Sequence, residues 1–484
     1  MPRAFFIIAA LLGAILFAGC QTKTPPTRAE IQQQALPQIV LTNAWKAGGV
    51  TGLIQDNWLA TFNDEQLNAL VREAVTNNLD LRVSATRIQQ SEQYVELAKA
   101  ALRPSVNLFG TGGFKGGGGS DVSSALQGIM LSASWEPDLW GRMRYARNAA
   151  QATEVSAQAD FQFARQSLAA ATAKSWFIAS ETWLQMQLAA DMVKSAESLV
   201  ALAEKRQNVG AGSEQEVVLA RANLGNFQDT AKQVGLAHQQ ALRALELLLG
   251  RYPAAELSAR ASLTELPGPV PVGMPLESLE RRPDLIAAER RVAAAFNRVG
   301  EAKAARLPRI ILNGSVAAIN SDVIELKPGF QNPVGGFGGN LIAPIYTGGA
   351  LQAQVKIRTL QQQEAVAQYA AMALRAIGDV ENALATGANL AGREQLLQQN
   401  VADNQRALEL AQTSYRVGKV DLRSVQQQQL NVYAAQLTLW RVQSEQLSQR
   451  ANLHLALGGS FETPPAPATG AKVATASAPE TSGH

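Results

Sequence analysis

Cysteine is nearly absent: Cys20 is the only one in 484 residues, so the chain can form no internal disulfide and contains no CxxC motif. Histidine is almost as scarce, with only His238, His454 and the terminal His484. No HExxH or GxSxG pattern accompanies them. A lone histidine in a helical segment is more often a packing or solvated residue than a ligand, so the reading is of a protein that is not an enzyme, with no cofactor and no metal site. Charge is also sparse, at 17% of residues with a net value of +3, which argues against nucleic acid as a partner. With 46% hydrophobic residues the chain is not a disordered polymer. Beyond the N-terminus no apolar run is long enough for a transmembrane helix. If the mature chain crosses a membrane it must do so as strands of a closed barrel, because only helices and closed barrels satisfy every backbone hydrogen bond in lipid. Proline is missing from residues 138–252 and 345–463, stretches of 115 and 119 residues.

Those two stretches are rich in Ala, Gln, Leu, Glu and Arg, the good helix formers. Each is interrupted once, by NVGAGS at 208–213 and by RVGKVD at 416–421. The spacing predicts in each a helix of about 65 residues followed by one of about 37, or rods of roughly 100 and 55 Å. Alanine clusters at 169–173 and 370–373 cover more than a two-stranded seam, and glutamine runs at 361–363 and 426–429 suit a wetted wall.

The chain also repeats itself. Residues 98–110 (AKAALRPSVNLFG) align without a gap on 302–314 (AKAARLPRIILNG), with 7 of 13 identical, and Asp80-Leu81 falls on Asp284-Leu285 at the same offset of 204. Further on, Gly210 falls on Gly418 and Gly250 on Gly458, now 208 apart. Internal repeats constrain the whole architecture. The unit is helix, two strands, very long helix, turn, helix, and it occurs twice. Strand pairs are expected at 105–114 with 126–135, and at 309–319 with 336–345. In the best of them Ile129, Leu131, Ala133 and Trp135 alternate with Gly128, Met130, Ser132 and Ser134, the pattern of a barrel strand with one face toward lipid. The connectors, KGGGGSDVSS at 115–124 and residues 320–335, read as exposed hairpin loops; GGGGS lacks the context of a phosphate cradle. Four strands cannot close a useful barrel, so closure needs several chains, and the physics of the sequence leaves their number open.

At the N-terminus Arg3 precedes an apolar run over 5–17, and small residues lead to Cys20. This resembles a bacterial lipoprotein signal, in which the cysteine becomes the acylated first residue; Gln21 after it points to the outer membrane by the same resemblance.

LERRPDLIAAERRV at 279–292, AKAARLP before a strand and YRVGKVD at the far turn, together with the lipidated cysteine and the duplication, resemble the outer-membrane efflux factor family (TolC-like), and within it the NodT-like lipoprotein branch. The resemblance covers about residues 20–460. It implies an α+β membrane protein: a trimer with a 12-stranded β-barrel, four strands per chain, continuing into a long α-helical periplasmic tunnel. The organisation that follows is a signal peptide at 1–19, a lipid-anchored linker at 20–62, repeat 1 at 63–250, an equatorial linker at 251–282, repeat 2 at 283–458 and a disordered tail at 459–484. The implied function is the passive outer-membrane duct of a tripartite efflux system for drugs or other small toxic compounds. Implied partners are a second and third copy of the chain, a periplasmic adaptor, a proton-driven inner-membrane transporter and outer-membrane lipid. Two other readings stay open: a duct for polypeptide secretion, and a lipid-anchored periplasmic coiled-coil scaffold that has no barrel.

The site residues follow from these readings. Cys20 is the lipidation site, and Ile129, Leu131 and Trp135 face lipid. Gly210, Ser213 and Gly418 mark the helix-turn tips where an adaptor would bind. Asp421, Arg416 and Lys419 line the periplasmic aperture, where a trimer would carry three Asp421 carboxylates and ion pairs of Arg416 and Lys419 would hold the mouth shut. The repeat offers a plainer role for Asp421. It corresponds to Ser213, and both follow a glycine by three residues, the position of a helix N-cap.

Overall fold

The computed structural model describes residues 22–37, 44–111, 114–115, 123–124, 127–260, 262–320 and 333–462. Cys20, the signal segment and residues 463–484 lie outside them. The chain divides into two compact units. One comprises the N-terminal stretch to Thr42, Leu79–Arg165 and Arg282–Gly378; the other comprises Asn43–Asn78, Gln166–Arg281 and the remainder from Asp379. The division cuts across the duplication, because strands of the two copies pair with each other and so draw both copies into the same unit.

The first unit holds the strands. Helix α1 (Arg28–Ala35) starts at a capping box in which Thr27 and Glu30 bond reciprocally. Helix α2 (Glu65–Asn77) belongs to the second unit, and α3 (Leu79–Ala100) leads into strand β1 (Ser105–Thr111). A two-residue ladder of Phe114–Lys115 on Ser123–Ser124 (β2 and β3) follows, then β4 (Gln127–Trp135). The second copy supplies α7 (Pro283–Ala304), opened by Pro283 in the first turn, and strands β5 (Arg309–Asn320) and β6 (Val334–Ile342). The four long strands form one antiparallel sheet in the order β1-β4-β5-β6.

Two strand ends differ from expectation. β6 was expected to reach residue 345 but stops at Ile342, because Pro344 has no N–H to give the ladder and biases Ala343 before it. Ile345 and Tyr346 lie beyond the strand and are almost fully exposed in the single chain. β1 ends at Thr111, before the expected 114, and Phe114 instead opens the short ladder.

Helix α7 packs an alanine-rich face, with Ala287, Ala288, Val292 and Ala294 buried. Gly300 is the tightest point: a Cβ there would lie 2.6 Å from the Tyr145 ring, whose hydroxyl accepts from the backbone N–H of Lys23. Gly300→Ala should therefore destabilise this unit by about 1–3 kcal/mol through overpacking. A chemical unfolding midpoint unchanged in that variant would show that Tyr145 moves aside freely.

Helix α4 (Arg142–Asn208) and helix α8 (Ala350–Arg416) are 67 residues each, and both run from the first unit into the second. Asp138 caps α4, its carboxylate accepting from the N–H groups of Met143 and Arg144. In the second unit each long helix turns back into a 35-residue helix, α5 (Glu214–Leu248) and α9 (Leu422–Ala456). Helix α6 (Pro275–Arg281) sits in the segment expected as a linker.

The core of the second unit gathers around Trp58. Its ring stacks on His454 with centroids 5.6 Å apart, and Phe62 lies against Phe177 at 5.3 Å. Asp64 caps α2 through the N–H of Leu67 and accepts from the Trp176 indole and the Thr264 hydroxyl. Burial alone would raise its carboxyl pKa, but these three bonds, with Arg260 nearby, hold it below the ordinary value. Residues 459–462, expected as the start of a disordered tail, are held in place. Gly459 N–H bonds to the His454 carbonyl, Ser460 N–H to Asp56, and Phe461 is buried.

Candidate functional site

Two places in the fold, one in each unit, carry the candidate residues that the structure describes. Among the described residues no group of His, Cys, Asp or Glu is placed to hold a metal ion, and no described helix is long and apolar enough to cross a membrane.

The first place is the sheet. Its register aligns Val106 with Ala133, Gly314 and Phe337, and Leu108 with Leu131, Val316 and Gly335. Gly110, Ile129 and Ala318 form the next row on the same side, Trp135, Leu312 and Gly339 another, and Ile310 pairs with Leu341. Residues directly opposite in antiparallel strands share a face. These five rows carry sixteen residues and only one polar side-chain atom, the Trp135 indole nitrogen, which donates to the Leu102 carbonyl at 3.0 Å; the register ends at the loop side with Gln127 opposite Asn320. The other face holds Ser105, Asn107, Thr111, Ser132, Ser134, Arg309, Asn313, Ser315 and Asn340 among glycines and a few apolar residues. Ile129, Leu131 and Trp135 lie on the apolar face and are 61%, 49% and 39% exposed in the single chain. The edge strands β1 (SVNLFGT) and β6 (VGGFGGNLI) contain no charge and no proline, the devices that normally keep an edge from pairing.

The second place is the pair of turns. Gly210 and Gly418 take φ +75° and +73°, the left-handed conformation that favours glycine. At each, the residue after the glycine donates back to a carbonyl five residues earlier, Ala211 to Arg206 and Lys419 to Ser414, which closes the helix in a Schellman turn. Ser213 then caps α5 through the N–H of Glu216, and Asp421 caps α9 through the N–H of Ser424 at 3.0 Å. The Ser424 hydroxyl also donates to Asp421 at 2.8 Å, and with the backbone bond it holds that exposed carboxyl below its usual range. Arg416 and Lys419 are exposed and form no ion pair with a described residue of the same chain. The expected lock from these two cations is therefore not made within one chain.

A different lock is present, and the sequence reading missed it. Arg206 on α4 donates to the Tyr415 carbonyl at 3.0 Å and lies over the Tyr415 ring at 4.6 Å. The Tyr415 hydroxyl reaches Glu216 at 3.4 Å, and burial, with the Glu216 charge beside it, raises the phenol pKa. Below, Leu199, Ala203, Val217, Ala220, Leu422 and Val425 bury a small apolar core, and Gln429 donates to Ser195. The two hairpins of one chain are thus pinned at their tips. The signal was in the repeat: at the 208 offset Arg206 meets Ser414, Gln207 meets Tyr415 and Glu216 meets Ser424, so the pinning residues are those in which the copies differ.

The family profile described as outer membrane efflux protein matches the chain twice, over residues 70–251 and 274–459. The chain belongs to that family. The two matches begin 204 residues apart and end 208 apart, the same offsets as the repeat. Among relatives, the pyoverdine export outer membrane protein OpmQ of Pseudomonas putida is 29% identical over 478 residues, covering 96% of this chain and 98% of its own. The cation efflux system protein CusC of Escherichia coli is 28% identical over 467 residues, covering 95% and 98%. Among solved structures, the CmeC outer membrane channel of Campylobacter jejuni matches with a TM-score of 0.81 at 22% identity, over 92% of this chain and 95% of its own. The fold is that of an outer-membrane efflux channel, and the protein is an outer-membrane component of efflux that extends into the periplasm.

Proposed function

We propose that three copies close their four-stranded sheets into one barrel of twelve strands, with the apolar face toward lipid, and that the chain serves as the passive exit duct of a tripartite pump. The observation that carries this reading is the sheet itself. Five successive apolar rows on one face and two unguarded edges suit lipid on one side and identical neighbours at each end. Ile129, Leu131 and Trp135 then face lipid, and Cys20 is the acylated anchor. A periplasmic adaptor docks on the tips around Gly210, Ser213 and Gly418, and a proton-driven inner-membrane transporter supplies the energy. Relatives named for pyoverdine export and for cation efflux support a cargo of small compounds.

At the tips we assign Asp421 two tasks, capping α9 and contributing one of three carboxylates to a ring at the periplasmic mouth. Arg416 and Lys419, which form no ion pair with a described residue of their own chain, are then available to acids of a neighbouring copy. The reading is tested in planar bilayers with the full-length protein. The parent should conduct with a preference for cations, and Asp421→Ser, which keeps a cap and removes the charge, should lose most of that preference. Absence of any channel activity in the parent would sink the duct. An unchanged ion preference in the variant would leave Asp421 as a cap alone.

A further inference from the structure

The less apolar face of the sheet is not uniformly polar. Reading along its rows of register partners, Ser105, Ser134, Asn313 and Gly338 form one, and Asn107, Ser132, Ser315 and Gly336 the next. Two residues further toward the interstrand loops the row changes character on all four strands at once: Phe109, Met130, Ala317 and Val334. Phe109, Met130 and Val334 are 51%, 37% and 38% exposed, so none of them is buried by the described residues of this chain. Single apolar residues scattered on a wet surface need no explanation. Four aligned in one register row, directly beyond two rows of Ser, Asn and Gly, form a band.

We infer that this band is an apolar collar at the outer end of the duct, which slows hydrated and charged solutes while letting compounds with apolar surface pass. The inference rests on the barrel reading above, in which this face lines the lumen and the loop end, opposite the helices, points out of the cell. Closure would repeat the row three times around the lumen. Phe109 and Met130, its two large side chains, would narrow the passage, and water held between apolar walls lacks hydrogen-bond partners, which is how hydrophobic constrictions oppose ions. The two Ser, Asn and Gly rows beneath leave room and polar partners for water. The discrimination would therefore lie at the level of this row, where all four strands carry an apolar residue, and not at the mixed rows with Ile311, Ile319 and Ile342.

The test uses introduced thiols, since Cys20 is the only cysteine of the parent. Ser315→Cys places a reporter in the polar row just inside the collar, and Val316→Cys places one on the opposite face. A charged methanethiosulfonate is added outside intact cells, and labelling rates are compared with the parent. With the collar intact Ser315→Cys should react slowly; adding Phe109→Ser and Met130→Ser should speed it by about tenfold. Phe109→Leu with Met130→Leu, which keep the row apolar, should leave the rate within about twofold. Met130→Thr alone, the least intrusive change, should move it in the direction of the serine pair. Equal rates with and without the collar would overturn the inference. If Ser315→Cys and Val316→Cys respond alike in every background, the strand does not separate lumen from lipid, and it is the barrel reading that fails.

Discussion

Replacing Leu131 by arginine should destabilise the membrane-embedded protein by about 2–4 kcal/mol, the cost of a cation on the lipid face of a barrel near its midplane. Leu131 is the middle residue of β4 and lies in the row of Leu108, Val316 and Gly335, so an arginine there has no polar neighbour across either strand. Ser132→Arg, one residue along, points to the other face, where serine, asparagine and water are at hand, and should cost far less. Reversible urea unfolding of the protein refolded into lipid measures both. Equal costs for the two variants would mean that the strand has no lipid side.

The second large effect concerns pH. His454 is buried against Trp58, and desolvation, reinforced by the Arg450 charge, lowers its pKa to about 4. Above about pH 6.5 neither the folded nor the unfolded chain holds the proton, and nothing is lost. As pH falls below that value the unfolded chain takes the proton while the folded chain does not, so stability declines until about pH 4 and then levels off. The full decline is about 3 kcal/mol. Glu181 works in the opposite sense: burial raises its pKa, so its folded form gains protons more readily as pH falls. The comparison of parent with His454→Gln separates the two. The variant should be less stable at pH 7, having lost the stacked ring, but should show a shallower decline between pH 7 and 5. Parallel curves would mean that folding does not lower the His454 pKa.

The helices could be read because local rules decide them. Proline-free runs of good helix formers leave few alternatives, and a Gly followed three residues later by Ser213 or Asp421 spells a stop and a new cap. The faces of β4 could be read from alternation alone. Register could not, because it depends on which strand lies alongside, and the Phe109 row exists only once β1, β4, β5 and β6 are placed in order. The end of β6 was misjudged because alternation was carried through Pro344, where the missing N–H outranks side-chain pattern. At the tips, charged residues drew attention to Arg416 and Lys419. The bonds that pin the hairpins instead join Arg206 to the ring and carbonyl of Tyr415 and the Tyr415 hydroxyl to Glu216, a pairing across the two copies that no local pattern marks.

The order of the sheet has a consequence for symmetry. Inside a chain, β4 and β5 join the second strand of one copy to the first strand of the other. When the open edges meet between chains, β6 and β1 make a junction of the same kind. A ring of three chains is then a ring of six nearly equivalent hairpins, of which half the seams are built into the polypeptide and need no encounter. The tandem copy halves the number of bodies that must find one another in a membrane. It also frees the two kinds of seam, and the two kinds of turn, to diverge, as Arg206 and Tyr415 have done.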